Sequence, residues 1–352
     1  MKLLPILLFL MTTFTSCKKE NLLADAVMYF PADSAAVWET VAPNQLNWNT
    51  DSISSLYTFL EQKHTKSFMI LVNGKIAIEA YFNGHTSSST WPWNSAGKTL
   101  VSATTGIAQQ NGLLNINNKV SDYLGTGWTN MPLNKENLIC VKHLLSMTSG
   151  ISDTSQFVIK SNLTYMADAG TRWSYSNVFQ KLMEVVSAAS TQNFETYFNE
   201  NLKNKIGMQG FWNFGLIYKI YHSNTRSMAR FGLLALNHGT WKKEQVIDKN
   251  YFNASIQSSQ SINPSYGYLW WLNGKTKYMV PGSQMVFTHA LVPSAPLDMY
   301  AALGASDQKI YVVPSKKMVI VRMGDAADPS HPTFAASGFD NDLWEKINAI
   351  IQ

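Results

Sequence analysis

Apolar residues recur along this chain in two rhythms: short runs towards both ends, and spacings of three and four between them. Positions 67–82 read as a β-hairpin. Phe68-Met69-Ile70-Leu71-Val72 and a second run beginning at Lys75 flank Asn73-Gly74, the dipeptide that best accepts the two positive φ angles of a type I′ turn. A second set of strands is predicted at 266–272, 299–303, 309–313 and 318–323, with Pro314-Ser315-Lys316-Lys317 turning between the last two. The middle is helical: 99–110, with Gly112 as its C-cap, then 141–147, 178–189, 194–204 and 227–237. Leu343, Trp344, Ile347 and Ile350 mark a closing helix at 339–351. Strands at both ends with helices between them predict an α+β domain built on one antiparallel sheet. It is expected to span 51–352, with a mostly helical subregion at about 111–255.

The first residues read as an address. Lys2, an apolar stretch over 3–14 and Thr15-Ser16-Cys17 have the layout of a secretory signal, too short to span a bilayer. Ending on a Cys, it resembles a bacterial lipoprotein signal, with Phe14 departing from the usual Leu-like residue. That implies a signal peptide over 1–16, lipidation of Cys17, and a tether and lead-in arm over 17–50. The expected location is outside the cytoplasm, periplasm-facing or anchored to the outer membrane, with the lipid as the only membrane contact. Cys140, in the apolar pattern Leu138-Ile139-Cys140-Val141, is then a free thiol, read as a buried structural residue.

Composition narrows the function classes. The chain has 352 residues, 45% of them hydrophobic, enough for a substantial core and too many for a disordered protein. Only 14% are charged, against about 25% in an average globular protein. The net charge of +5 comes from scattered Lys and Arg, which argues against a nucleic-acid binder. Two Cys make no disulfide framework. The seven His are isolated, without metal-ligand spacing, and no metal or cofactor is expected.

One constellation carries chemistry. Ser95-Ala96-Gly97-Lys98 falls where a helix begins. A Ser in a first helical turn sits at the positive end of the macrodipole, and a Lys three residues on shares its face. A nucleophile and a proton acceptor thereby come within reach of each other. Eighty residues later, Tyr175-Ser176-Asn177 again stands where a loop meets a helix and can turn a phenol and a carboxamide into a cleft. Each motif alone has a bland equivalent, a capping Ser with a surface Lys and a packed Tyr with a capping Asn. Their pairing is more specific. The Trp91-Pro92-Trp93 and Trp270-Trp271 clusters serve equally as cleft wall or as core, and Asp298 reads as a turn cap.

With these motifs the chain resembles the serine β-lactamase-like and penicillin-binding superfamily, in particular its class C-related branch of esterases, D-aminopeptidases and 6-aminohexanoate-oligomer hydrolases. Further matching stretches are Gln110-Asn111-Gly112-Leu113-Leu114, Val120-Ser121-Asp122-Tyr123-Leu124, His143-Leu144-Leu145-Ser146-Met147-Thr148-Ser149-Gly150, Met228-Ala229-Arg230-Phe231-Gly232 and Val313-Pro314-Ser315. The resemblance covers about 68–321 and implies the β-lactamase/transpeptidase-like fold. It also implies a serine hydrolase that forms an acyl-enzyme on Ser95, with Lys98 and Tyr175 in the proton transfers. Which of those two is the base stays open: Tyr175 as a phenolate stabilised by Lys98, or a desolvated neutral Lys98. Asn177 would bind a substrate amide, and the N–H groups of Ser95 and Ala305 would form the oxyanion hole.

The family's third motif, usually Lys- or His-x-Gly, is altered. Its counterpart is Ala302-Leu303-Gly304; Gly274-Lys275-Thr276-Lys277 lacks the Gly and comes too early. Because the missing basic residue helps bind a substrate carboxylate in β-lactamases, Ala302 favours small or peptide-like esters and amides without one. The competing expectations are a penicillin-binding D,D-carboxypeptidase or β-lactamase, and a non-catalytic binding or sensor protein on the same fold.

Overall fold

The computed structural model describes residues 27–33, 37–331 and 335–351. The predicted signal and Cys17 lie outside them. Among the described residues no helix is long and apolar enough to cross a membrane.

The sheet is assembled from both ends of the chain, as the two sets of strand signals require. Helix α1 (Ile53–Gln62) leads into strands β1 (Thr65–Val72) and β2 (Lys75–Tyr81). Asn73 at φ 49° and Gly74 at φ 83° form the tight turn between those strands. After β3 (Trp91–Pro92) come α2 (Lys98–Gln110), α3 (Lys181–Ser190), α4 (Phe194–Phe198), β4 (Phe211–Phe214), β5 (Lys219–Ser223) and α5 (Thr225–Leu236). Strands β6 (Trp271–Leu272), β7 (Tyr300–Gly304), β8 (Gln308–Val313) and β9 (Met318–Gly324) complete the sheet, and α6 (Gly338–Ile351) closes the chain. The six-stranded order is β2-β1-β9-β8-β7-β6, with its strands paired antiparallel.

Helices α1 and α6 cover one face of this sheet: Leu56, Leu60, Leu343, Trp344, Ile347 and Ile350 are buried, and Trp344 meets Tyr311 of β8 edge-on. Helix α5 packs on the other face through Gly232. The helical region is centred on α2, whose residues 98–108 are all buried. Such a helix can carry hydroxyls because they bond inside it, Thr104 to the carbonyl of Leu100 (2.7 Å) and Thr105 to that of Val101 (2.8 Å).

Several expectations shift. The strand foreseen at 266–272 joins the sheet only at Trp271–Leu272, because the chain loops back through Leu269 at φ 62° so that Tyr266 bridges to Trp271. The predicted helix at 194–204 turns from α to π geometry at Asn199. Part of the lead-in arm is packed: Trp38 is buried and its indole donates to the Gly74 carbonyl (2.8 Å). Cys140 is a free thiol but only half-buried, because it is the N-cap of Val141–Leu145 and lies outside the helix's packed face.

A Cβ built on Gly232 would lie 2.4 Å from Val319 Cγ1 and 3.0 Å from Ile310 Cγ2. Gly232→Ala therefore overpacks the α5–sheet interface and is expected to cost about 1–3 kcal/mol, read as a lower midpoint in a denaturant melt. An unchanged midpoint would contradict this packing.

Candidate active site

The turn that carries Ser95 is fixed by contacts outside it. Strand β3 pairs with β5 through Trp91↔Ser223 and Pro92↔His222, and the Trp93 indole donates to Ser223 Oγ (2.7 Å). The turn Asn94–Gly97 is 3₁₀ and runs straight into α2, so Ser95 sits one turn ahead of the α-helix proper. Asn94 takes φ 48°, a left-handed conformation that Asn tolerates, and donates to the Ala305 carbonyl (2.8 Å). A Cβ on Gly304 would lie 2.5 Å from the Trp93 carbonyl oxygen and 2.9 Å from the Ala96 nitrogen. Only glycine lets β7 approach the Ser95 turn this closely.

Lys98 Nζ donates to Ser95 Oγ at 2.8 Å, the contact the three-residue spacing implied. Its side chain is buried and stands over the Tyr175 ring at 4.6 Å and the Phe179 ring at 4.5 Å. Burial pulls the amine from 10.5 down to about 7, so a large fraction is neutral at physiological pH.

Tyr175 is held by its neighbours. Ser174 donates to Asp153 (2.6 Å), which also takes Arg172 (3.0 Å). The Tyr175 ring lies among Trp173, Tyr266 and Trp271, with centroids 6.1, 6.1 and 5.7 Å away. Burial drives the phenol well above its usual range; Ser95 and Trp271 lie close enough to oppose that rise, yet the hydroxyl closes no hydrogen bond of good geometry. A phenol in that state is a proton donor at neutral pH.

The Asn177 carboxamide, expected to hold a substrate amide, donates to the Gln156 carbonyl (3.0 Å) and to its side chain (3.3 Å). Ser176, rather than Asn177, caps the turn that follows. Ala302 and Gly304 are buried in β7, and the residue here that lines the cavity is Ala305, just past the strand's end. Strand β6 pairs only with Tyr300 and Ala301, and the Ser95 turn packs against the end of β7 beyond them. Trp93, Trp270 and Trp271 are core residues, although Trp271 also touches Tyr175. Asp298 accepts from Ser315 (2.7 and 2.9 Å), a turn-holding role. Among the described residues no His, Cys, Asp or Glu cluster could hold a metal.

Two lobes meet at Ser95. One, about 210 Å³, is lined by Asn94, Phe179, Gln180, Lys219, Ile220 and Ala305; the other, about 150 Å³, by Asp153, Gln156, Tyr175 and Gly282 among others. Ser95, Lys98, Asn177 and Tyr218 belong to both. Sequence reasoning missed Gln156, Phe179, Tyr218 and Lys219, which stand in no motif.

The beta-lactamase family profile matches residues 60–337. The chain belongs to the beta-lactamase family. Solved structures agree on the fold. A protein from Bacillus anthracis assigned as a 6-aminohexanoate-dimer hydrolase is 18% identical with a TM-score of 0.67, covering 91% of this chain and 88% of its own. A mutant class C beta-lactamase is 16% identical at TM-score 0.61, over 87% and 98%. A penicillin-binding protein from Bacillus halodurans is 14% identical at 0.58, over 84% and 99%. No curated protein matches the chain.

Two measurements check the state of Lys98. If its neutral form is the working base, kcat/KM for a neutral ester rises with pH to a midpoint near 7 and levels off above it; a midpoint above 10 would transfer the role to Tyr175. The unfolded lysine also binds a proton between about 7 and 10.5 where the folded one does not, so stability climbs across that window and the burial penalty is full below it. Lys98→Met should accordingly raise the melting temperature at pH 6, with a gain that shrinks as the pH approaches 10.5.

Proposed function

We propose that the protein is a serine hydrolase that cleaves an uncharged ester or amide through an acyl-enzyme on Ser95. The observation that carries this reading is the 2.8 Å contact between Ser95 Oγ and a buried amine whose pKa has fallen to about 7. Ser95 Oγ bonds to the substrate carbonyl carbon while its proton passes to neutral Lys98. The oxyanion is met by the N–H groups of Ser95 and Ala305, and the C–O or C–N bond breaks as the Lys98 ammonium returns the proton to the leaving group. Tyr175 stays protonated and donates a hydrogen bond near the leaving atom. Water then repeats the attack to release the acid. The two lobes on either side of Ser95 suit an acyl part and a leaving group.

An uncharged substrate is favoured by Ala302, which replaces the family's usual cation, and by exposed apolar residues next to the lobes: Phe157 beside Gln156, and Leu216 beside Tyr218. Lys219, which helps line the larger lobe, supports a second reading in which a carboxylate-bearing substrate of the penicillin-binding or β-lactamase type is held there instead. Export through the lipoprotein-like signal, with anchoring at Cys17, completes the proposal.

A fluorophosphonate probe should label the wild type on Ser95 and leave Ser95→Ala unlabelled; a wild type without an adduct would leave the binding or sensor reading. Lys98→Ala and Tyr175→Phe should each lose most turnover. A p-nitrophenyl ester should be hydrolysed faster than nitrocefin, and the reverse order would favour the carboxylate reading through Lys219.

A further inference from the structure

Behind the site, on the side of β7 away from the cavity, lies a group of buried charges that the proposed reaction does not use. Arg322, Lys309 and Asp340 are 0% exposed and Asp307 is 3% exposed. Arg322 binds the turn that follows Ala305, Asp307 belongs to it, and Lys309 and Asp340 connect to it through the Asp307 carboxylate. In that turn two successive residues, Ser306 at φ 57° and Asp307 at φ 58°, are left-handed. Residues other than glycine keep such angles only where their surroundings impose them.

The surroundings are specific. Arg322 Nη1 donates to the carbonyls of Ser306 (2.9 Å) and Asp307 (3.0 Å). Its Nη2 reaches the carbonyls of Lys63 (2.7 Å) and Asp325 (2.9 Å), and Nε reaches Thr65 Oγ1 (3.1 Å). Gln308 Nε2 adds bonds to the carbonyls of Ser306 (2.8 Å) and Gly324 (2.6 Å). The Asp307 carboxylate accepts from the Ala327 N–H (2.9 Å) and Ser337 Oγ (2.9 Å), and pairs with Lys309 (3.2 Å). Lys309 in turn pairs with Asp340 (2.9 Å), which also accepts from Tyr311 (2.5 Å). Burial works against the charge on Asp307, but Lys309, the Ala327 N–H, Arg322 and Ser337 outweigh it and hold the carboxyl below its usual range.

A buried ion cluster is a weak source of stability, since apolar residues of the same volume often serve as well. What an apolar side chain cannot do is bind two carbonyls of one turn and three groups of neighbouring segments at once, a task suited to the planar fork of arginine. On the cavity side the same segment is held by Asn94 on the Ala305 carbonyl and by the close seat of Gly304 on the nucleophile turn. Ala305 is therefore gripped from both sides.

We propose that Arg322, together with Asp307, is a positioning residue that sets the Ala305 N–H for the oxyanion by locking the left-handed turn behind it. This rests on the serine-hydrolase reading above. Loss of one oxyanion donor typically costs about 10²–10³ in rate, and a donor displaced but still present should cost less.

The test compares wild type, Arg322→Lys, Arg322→Met and Gln308→Ala on a neutral p-nitrophenyl ester, each assayed well below its own melting temperature. Arg322→Lys keeps the charge but loses the fork. Its kcat is expected to fall about 10- to 100-fold with KM within about twofold. The pH midpoint near 7 should stay in place, because Lys98 is untouched. Gln308→Ala, which leaves the arginine contacts, should lose less than Arg322→Lys. Arg322→Met is read only if it folds, and should then be at least as impaired as Arg322→Lys. A folded Arg322→Lys with wild-type kcat, or with a change confined to KM, would overturn the proposal while leaving the hydrolase reading intact. A wild type with neither turnover nor fluorophosphonate labelling would remove the hydrolase reading and this proposal with it.

Discussion

The rest of the site depends on one desolvated amine. Bringing Lys98 from 10.5 to about 7 corresponds to roughly 5 kcal/mol at about 1.36 kcal/mol per unit, a large share of what a domain of this kind has to spare. No carboxylate among the described residues pairs with Lys98 to offset it. Only the faces of Tyr175 and Phe179 and the Ser95 hydroxyl do so in part. The amine must consequently be kept dry by structure elsewhere, which explains a helix α2 buried on every side and an aromatic box around Tyr175. Full solvation of Lys98 would return its pKa towards 10.5 and shrink the neutral fraction able to accept a proton.

Keeping the amine dry is a matter of backbone distances as much as of side chains. Gly304 lies against the Ser95 turn, Gly232 lets α5 close on the sheet, and Gly106 receives the flat of the Tyr251 ring, where a Cβ would come within 2.3 Å of it. Each closes a gap that a methyl group would open.

What could be read in the sequence was what is local. The β1–β2 hairpin follows from Asn73-Gly74, α2 from its apolar spacing, and the Ser95–Lys98 contact from a three-residue offset on one turn. What escaped depends on contacts between distant positions. Asn94 meets Ala305 across 211 residues, and Arg322 meets Thr65 across 257. Within the run Met318 to Gly324, Arg322 has the look of a solvated strand residue, and nothing local reveals that it caps the turn behind Ala305. The β4–β5 hairpin was missed for a different reason: its apolar residues stand largely exposed at its tip, so their pattern follows neither rhythm that a packed element imposes. Ser95, Lys98 and Tyr175 were found because they sit in motifs; Lys219, at the start of β5, and Gln156, in a loop, were not because each is a single residue outside any motif.

The alteration at Ala302 and the choice of base are linked. A phenolate at Tyr175 would need a cation to hold it, and β7 offers none at 302. The cation beside the ring is Lys98, itself buried and near its own midpoint. A charged Lys98 next to a phenolate would place an ion pair in a space that burial has already made hostile to either charge, as the two opposite shifts show. With both groups neutral the desolvation cost is least, and of the two neutral forms only the amine has a lone pair basic enough to take the Ser95 proton. Removing the third-motif cation therefore does more than change which substrate end is recognised. On the proposed reading, it withdraws the counter-charge that a tyrosinate mechanism would require and assigns the proton to Lys98.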